Sequence, residues 1–390
     1  MRTNQTKPRR VLVVVANPLG GVRTYLLYNC RRLAESNYAF TFLAPAGEAF
    51  DAFKNDVKSL PGVECIGVPV RGRRYFLWPT IRRCLRTRRF SLVHSQGLRS
   101  GTETAFANLG LGLSHVITLH DVIVPRNDVP GRLKWLKKRV IGRLASRADA
   151  IVPVSQDCAE NHLSHFSELK RGRCRIQVIL NGVDVQQITR VGDAVDRKAL
   201  RKKLRFADDV TILGFFGRFM PQKGFLLLLQ ALRELIRSGH GDRVRLVAAK
   251  DPHGYRGEYI REVAQDPLLS TIVRFIAPVT EIATVLPQID ILVTPSLWEA
   301  CPLLPMEAMI LGIPVVGSDA IGLREVLRDT PSLAPPAGDS QALASAILEA
   351  TDASHRQLAE RYVNTARTEF DVTRSVQSLL LLFDELLRPK

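Results

Sequence analysis

The sequence predicts an α/β protein built from two doubly wound domains, and three observations carry that prediction. The chain has 390 residues, long for one hydrophobic core and sufficient for two. Short β-branched runs alternate with helical patterns along its whole length, as in βαβ units around a mostly parallel sheet. A polar, charge-dense stretch follows Asn181-Gly182-Val183-Asp184 and separates two comparable sets of such units.

The first set of predicted strands is Val11–Val15, Phe40–Ala44, Ser91–His94, His115–Leu119, Ala150–Val154 and Gln177–Leu180. The second is Thr211–Phe216, Val244–Ala248, Ile272–Phe275, Ile289–Val293 and Pro314–Gly317. The stretch from 181 to about 207 reads as a linker. The expected domains are 1–185 and 186–369, with residues 370–390 forming a last helix that packs back near the junction. Two such halves place a cleft between the carboxyl ends of their sheets, where open α/β sheets bind ligands.

Hydrophobic residues make up 46% and charged residues 24%, the profile of an ordinary folded domain. The six cysteines show no CxxC pair and no histidine at ligand spacing, which excludes a zinc site and a disulfide framework and suits a reducing cytoplasm. Cys301 reads as a small buried filler. The N-terminal basic stretch and apolar run Val11–Val15 end in Asn17-Pro18-Leu19-Gly20-Gly21, which fits a first strand entering a glycine turn better than a signal peptide. No apolar run approaches the length needed to span a bilayer.

Two segments carry chemistry. In Thr294-Pro-Ser-Leu-Trp-Glu299-Ala-Cys-Pro302-Leu-Leu-Pro305-Met-Glu307-Ala-Met-Ile-Leu-Gly312-Ile-Pro314, a buried strand feeds a loop, and Pro305 is expected to open a short helix closed by Gly312 and Pro314. The start of such a helix is an anion site. Glu307, placed in its first turn, can accept two hydrogen bonds from a ribose diol, while Glu299 on the preceding loop is free to face the cleft. Both glutamates could instead merely complement a helix N-terminus. The second segment is Gly214-Phe-Phe-Gly217-Arg218-Phe-Met-Pro221-Gln-Lys223-Gly224, directly after a strand. Arg218 and Lys223 there match the charge of a diphosphate, with Arg able to bind it as a fork. No Walker loop occurs.

Taken in order, these residues resemble the retaining GT-B glycosyltransferases of family 4 (glycosyl transferases group 1). The match runs through Phe216-Gly217-Arg218 to Lys223-Gly224, then Glu299 to Glu307 with seven residues between, then Asp319-Ala-Ile-Gly322-Leu-Arg-Glu325. Gly20-Gly21, Val93-His94-Ser95, Thr118-Leu119-His120-Asp121, Val154-Ser155 and Asn181-Gly182-Val183-Asp184 supply the first half. The resemblance implies two Rossmann-like domains facing across a cleft, the first binding acceptor and the second the nucleotide-sugar donor. It implies that Arg218 and Lys223 stabilise the departing diphosphate, and that Glu299 holds or electrostatically assists the transferred sugar. Glu307 would bind the ribose, with phosphate contacts from the amides around Leu303 and Leu304. His120 would reach the donor sugar, and Gly20-Gly21 would allow close backbone approach. Leu246-Val-Ala-Ala-Lys250-Asp251 departs from the family's glycine-flanked turn near the base, and Phe383 stands where a tyrosine is common. His94, His162 and His165 read as surface or satisfied structural histidines.

No Asp-x-Asp occurs, so Arg218 and Lys223 are expected to replace a divalent ion, with no metal and no cofactor beyond the donor substrate.

The net charge is +17, and residues 1–180 hold 30 Lys and Arg against 12 Asp and Glu, whereas the rest of the chain is nearly balanced. The excess calls for an anionic partner of the first half. Arg73, Arg74, Trp78, Arg82 and Arg83 lie in one basic segment. Lys134, Trp135, Lys137 and Lys138 lie in a second, an amphipathic helix with Leu133, Leu136, Val140 and Leu144 on one face. Cations mixed with aromatics suit an anionic lipid surface, though a helix packed on its sheet with solvated arginines has the same pattern. The expectation is a hexosyltransferase acting on a glycan or lipid-linked acceptor in cell-surface polysaccharide synthesis, peripheral on the inner face of the cytoplasmic membrane. The competing readings are a basic protein for nucleic acid or another polyanion, which the absence of any nucleic-acid-binding motif disfavours, and a GT-B-fold epimerase or phosphorylase.

Overall fold

An unbroken aliphatic run such as Val11–Val15 suits a strand covered on both faces. In the computed structural model, which describes residues 8–70, 72, 75–87, 89–124, 132–250 and 257–388 (but not the side chains of 132–134), that run is buried to 2% exposure or less. The chain divides into two compact units, one of Met1–Gly182 with Val372–Lys390, the other of Val183–Asp371.

The first unit holds β1 (Arg9–Val15), β2 (Tyr38–Pro45), β3 (Glu64–Val68), β4 (Leu92–Gln96), β5 (Ser114–Leu119), β6 (Ala150–Pro153) and β7 (Arg175–Ile176). All pair in parallel, in the order β3-β2-β1-β4-β5-β6-β7. The helix Val372–Leu386 belongs to this unit. Its Phe383 is fully buried, with its ring 5.4 Å from that of His94 and 5.9 Å from that of Tyr38. Asp384 accepts from the Tyr38 hydroxyl at 3.0 Å and pairs with Arg9.

The second unit holds β8 (Thr211–Phe215), β9 (Val244–Ala249), β10 (Val273–Ile276), β11 (Ile291–Thr294) and β12 (Val315–Gly317), parallel in the order β10-β9-β8-β11-β12. Phe215, Phe219 and Phe225 stack within it at 4.7 to 6.2 Å, closed over by Tyr259 and Phe275. Phe219 and Phe225 lie on the two sides of Met220–Gly224, so burial of their rings fixes the path of that loop.

Three expectations are corrected. The strand Glu64–Val68 was not predicted; it is an edge strand, and its Glu, Cys and Gly leave no apolar alternation to read. The seventh strand is assigned to Arg175–Ile176 rather than 177–180, although Gln177 and Ile179 continue the ladder to Ile151 and Pro153 oxygens at 3.0 and 3.1 Å. The supposed linker is largely helical, over Val185–Asp193 and Ala199–Leu204, and the Asp184 side chain caps the first helix at the Gln187 amide.

Candidate active site

In both sheets the strand order reverses beside the first strand, between β1 and β4 in one unit and between β8 and β11 in the other. Such a reversal opens a crevice at the carboxyl ends of the strands.

In the second unit, β8 ends at Phe215 and the chain turns through Gly217 and Arg218 into a 3-10 turn, Pro221–Lys223, before the helix Phe225–Arg237. Gly224 sits at φ +69°, and a Cβ there would lie 1.9 Å from the Pro295 carbonyl oxygen, so no other residue fits without moving β11's loop. The two loops are also sewn together by hydrogen bonds. Leu297 N–H donates to the Gln222 carbonyl at 2.8 Å, and the Gln222 side-chain amide donates to the Trp298 carbonyl at 2.9 Å.

These constraints bring Lys223 and Glu299 together, with Nζ 2.5 Å from Oε1 and side-chain exposures of 22% and 10%. The Ser296 hydroxyl donates to the same Oε1 at 2.7 Å, and the Ser318 hydroxyl holds the Ser296 carbonyl in turn. Glu299 is buried at 8% exposure, where its charge requires the match that Lys223 and Ser296 supply. Its second oxygen, Oε2, has no partner among the described residues. A small recess lies here, lined by Gly217, Lys223, Thr294, Ser296, Glu299 and Leu304. Arg218 is exposed and has no ion-pair partner among the described residues. This arrangement can receive an anion on its cations while presenting one carboxylate oxygen in fixed orientation.

The following helix runs over Leu303–Met309, so Pro302 is its cap and Leu303 and Leu304 are its first two residues. Pro305 does not open the helix but stands third in it, where a missing N–H costs nothing. Glu307 accordingly lies in the second turn, not the first, and is 4% exposed. Cys301 is buried at 6% exposure, and no disulfide joins any of the described cysteines. Among the described residues no group of His, Cys, Asp and Glu could hold a metal ion.

In the first unit, Gly20 (φ +56°) and Gly21 open the helix Gly20–Ala34, which has no acidic residue in its first turn, and a Cβ at Gly21 would meet nothing within 4 Å. His120 follows β5, with Nε2 2.7 Å from the Gln96 carboxamide oxygen at the end of β4 and its ring edge-on to Tyr25 at 4.6 Å. Burial, and secondarily His94, pushes the His120 pKa down to about 3. His94 Nε2 lies 2.7 Å from the Thr118 hydroxyl, and His165 Nδ1 lies 2.9 Å from the Asn161 carbonyl, both structural contacts. His162 is neither a surface nor a satisfied residue: it is 1% exposed with no hydrogen bond at either ring nitrogen, 3.7 Å from Asp121. Burial pushes its pKa down to about 4.

The basic segments are only partly available. Arg82 is corrected to a structural residue, since its guanidinium donates to the Ala107 and Leu109 carbonyls at 2.9 and 3.1 Å and closes the end of the helix Leu98–Ala107. Trp78 is 37% exposed and packs edge-on to Phe106, and Arg83 is exposed. Arg73 and Arg74 lie outside the described residues, as does the side chain of Lys134. On the helix Arg132–Ala145, Lys137 and Lys138 are exposed, and Arg139 lies over the ring of Trp135, itself 59% exposed. Leu136 and Val140 are not packed on the sheet but remain 53% and 48% exposed.

The sequence reading missed Gln96, Gln222, Ser296 and Ser318. Ser296 and Gln222 stand inside the segments it selected, but nothing in their spacing marks them as partners of Glu299 and of the Trp298 loop.

Comparison with known proteins bears on the family and the fold. Residues 19–187 match the family model described as Glycosyltransferase Family 4, and residues 210–352 match that described as Glycosyl transferases group 1. The D-inositol 3-phosphate glycosyltransferase of Geodermatophilus obscurus is 28% identical, over 98% of this chain and 90% of its own length. D-inositol 3-phosphate glycosyltransferase 2 of Catenulispora acidiphila is 33% identical over 68% of this chain and 64% of its own. Among solved structures, Anabaena HepE in complex with UDP-glucose superposes with a TM-score of 0.79 at 20% identity, over 96% of this chain and 99% of that one. Sucrose-phosphate synthase from Thermosynechococcus elongatus gives 0.77 at 20% identity, over 97% and 99%. With both units matched in order, the chain belongs to the group 1, family 4 glycosyltransferases and has their GT-B fold.

Proposed function

We propose that this glycosyltransferase is a retaining, metal-independent enzyme that moves a hexose from a nucleoside-diphosphate sugar. The observation that carries the reading is the Lys223–Glu299–Ser296 cluster at the β8–β11 crevice, with Arg218 exposed on the same loop as Lys223. Arg218 and Lys223 neutralise the diphosphate and stabilise it as it leaves, a task for cations fixed in advance. Because Lys223 also pairs with Glu299, it ties the phosphate end of the donor to the group that meets the sugar. Oε1 of Glu299 is occupied, so Oε2 accepts from sugar hydroxyls. Glu307 binds the ribose, and the amides of Leu303 and Leu304 add phosphate contacts. The two cations stand in for a divalent ion.

For the acceptor, the exposed Trp135, Leu136 and Val140 beside Lys137 and Lys138 support a membrane-associated glycan or glycolipid in cell-surface polysaccharide synthesis, reached from the inner face of the cytoplasmic membrane. A second reading follows from the relatives' name: a small phosphorylated cyclitol is also anionic and suits the same excess of positive charge.

The test is release of nucleoside diphosphate from UDP-, GDP-, ADP- and dTDP-hexoses, with and without EDTA, in the presence of glycolipid vesicles or inositol phosphate. The anomeric coupling of the product is read by proton NMR. Release from one donor class, insensitive to EDTA and giving a product with the donor's anomeric configuration, is expected. An inverted product or loss of activity in EDTA refutes the corresponding part, and turnover with inositol phosphate but not vesicles selects the second acceptor.

A further inference from the structure

The segment that carries Glu299 is pinned from two sides. Leu297 N–H donates to the Gln222 carbonyl at 2.8 Å and Glu299 N–H to the Ile321 carbonyl at 2.9 Å, while the Ser318 hydroxyl holds the Ser296 carbonyl. These bonds fix the backbone, but several rotatable bonds still separate the Glu299 carboxylate from it. The two groups that hold the carboxylate differ in kind. Lys223 brings a point charge on a flexible stem, which matches the charge of Oε1 without setting its direction. Ser296 brings a hydroxyl on a stem of one carbon, in a residue 3% exposed, with Oγ 2.7 Å from the same oxygen. A hydroxyl hydrogen bond is directional, and this proton has no other acceptor among the described residues. Lys223 also has a second claimant once a donor binds, since its ammonium meets the diphosphate. Ser296 has none.

We propose that Ser296 is the positioning residue of Glu299: its hydroxyl holds Oε1, aims Oε2 at the donor sugar, and keeps that aim while Lys223 serves the diphosphate. This rests on the reading of the crevice as a nucleotide-sugar site with Glu299 as its sugar contact, and every group involved belongs to the second unit. A serine that only satisfied a buried charge would act on the fold whether or not a sugar is bound. A positioning serine acts on the sugar, and loses that influence when Glu299 is absent.

The test is calorimetric titration of the native protein and Ser296→Ala with UDP and UDP-glucose, with GDP and GDP-mannose in parallel. The same ligands are titrated into Glu299→Ala and into the double variant, and the Tm of each protein is recorded. Ser296→Ala is expected to bind the nucleoside diphosphate within about twofold of the native protein and the sugar conjugate about tenfold more weakly. In the Glu299→Ala background the same change is expected to alter neither affinity by more than about twofold, because the group it acts through is gone. Native affinity for the sugar conjugate in Ser296→Ala overturns the proposal. So does a loss that persists without Glu299, or an equal weakening of both ligands with a fallen Tm, either of which marks a support of the loop alone. If the native protein binds none of the four compounds, the nucleotide-sugar reading has failed instead. Crystal structures of the native protein and Ser296→Ala then decide the positioning role. A Glu299 carboxylate that swings away or splits between rotamers without the hydroxyl supports it, and one that keeps its native conformer overturns it.

Discussion

Glu299 has one oxygen held by both Lys223 and Ser296, with only 10% of its side chain exposed. Removing Lys223 leaves that carboxylate with Ser296 alone, and Lys223→Ala is predicted to cost about 1–3 kcal/mol of stability. If the two residues act as a pair, Lys223→Ala in a Glu299→Gln background costs less, and a double-mutant cycle from urea unfolding measures the difference. Additive losses would show that the contact carries no energy. Arg218, Lys223, Glu299 and Glu307 stand out in the sequence as candidates, since they are charged residues at fixed spacing near glycines and prolines. The pairing was not legible. Lys223 and Glu299 are separated by 76 positions, and only the paired loops at the ends of β8 and β11 bring them within 2.5 Å.

At the scale of elements, the loop between β8 and its helix is staked at Phe219 and Phe225 and locked at Gly224 against Pro295. Phe219→Ala should cost about 3–5 kcal/mol. Gly224→Ala should both destabilise the second unit and weaken nucleotide binding, because relief of a 1.9 Å contact moves Lys223. Gly21 makes the opposite case. A Cβ there enters open space, so Gly21→Ala is expected to leave stability within about 0.5 kcal/mol, and any loss of turnover then reports on substrate approach. Thermal unfolding of the three variants beside turnover separates these outcomes, and an unperturbed Gly224→Ala would contradict the close-approach argument. Strands with aliphatic runs, such as Val11–Val15, were readable, whereas Glu64–Val68 was not, because an edge strand with half-exposed polar residues carries no such run. The helix Val185–Asp193 was readable in principle from Asp184 followed three residues later by Gln187, a capping pattern hidden among charges.

Across the whole molecule, the titratable burden falls on the first unit. Burial holds His94, His115 and His120 neutral, with pKa values pushed down to about 3. In the unfolded chain these groups protonate near pH 6.5. Between pH 6.5 and about 3 the unfolded state therefore binds protons that the native state refuses. The stability these groups confer is complete above pH 6.5 and is lost as pH falls, by up to about 1.4 kcal/mol per pH unit for each histidine. Urea unfolding followed from pH 7.5 to 4.5 should show this steep decline, and a flat profile below pH 6 would contradict it. The charge asymmetry makes a separate prediction. Binding to vesicles containing anionic lipid should weaken as salt rises, and Lys137→Glu with Lys138→Glu should reduce it without lowering the Tm, since both side chains are exposed.

The most direct test of the central claim is donor binding by thermal shift, using UDP-, GDP-, ADP- and dTDP-sugars with the native protein, Lys223→Ala and Glu307→Ala. A rise in Tm with one nucleotide class, unchanged by EDTA and absent in both variants, is the predicted result. A native protein that no nucleotide sugar stabilises, or variants stabilised as well as the native chain, would contradict the assignment of the β8–β11 crevice as the donor site.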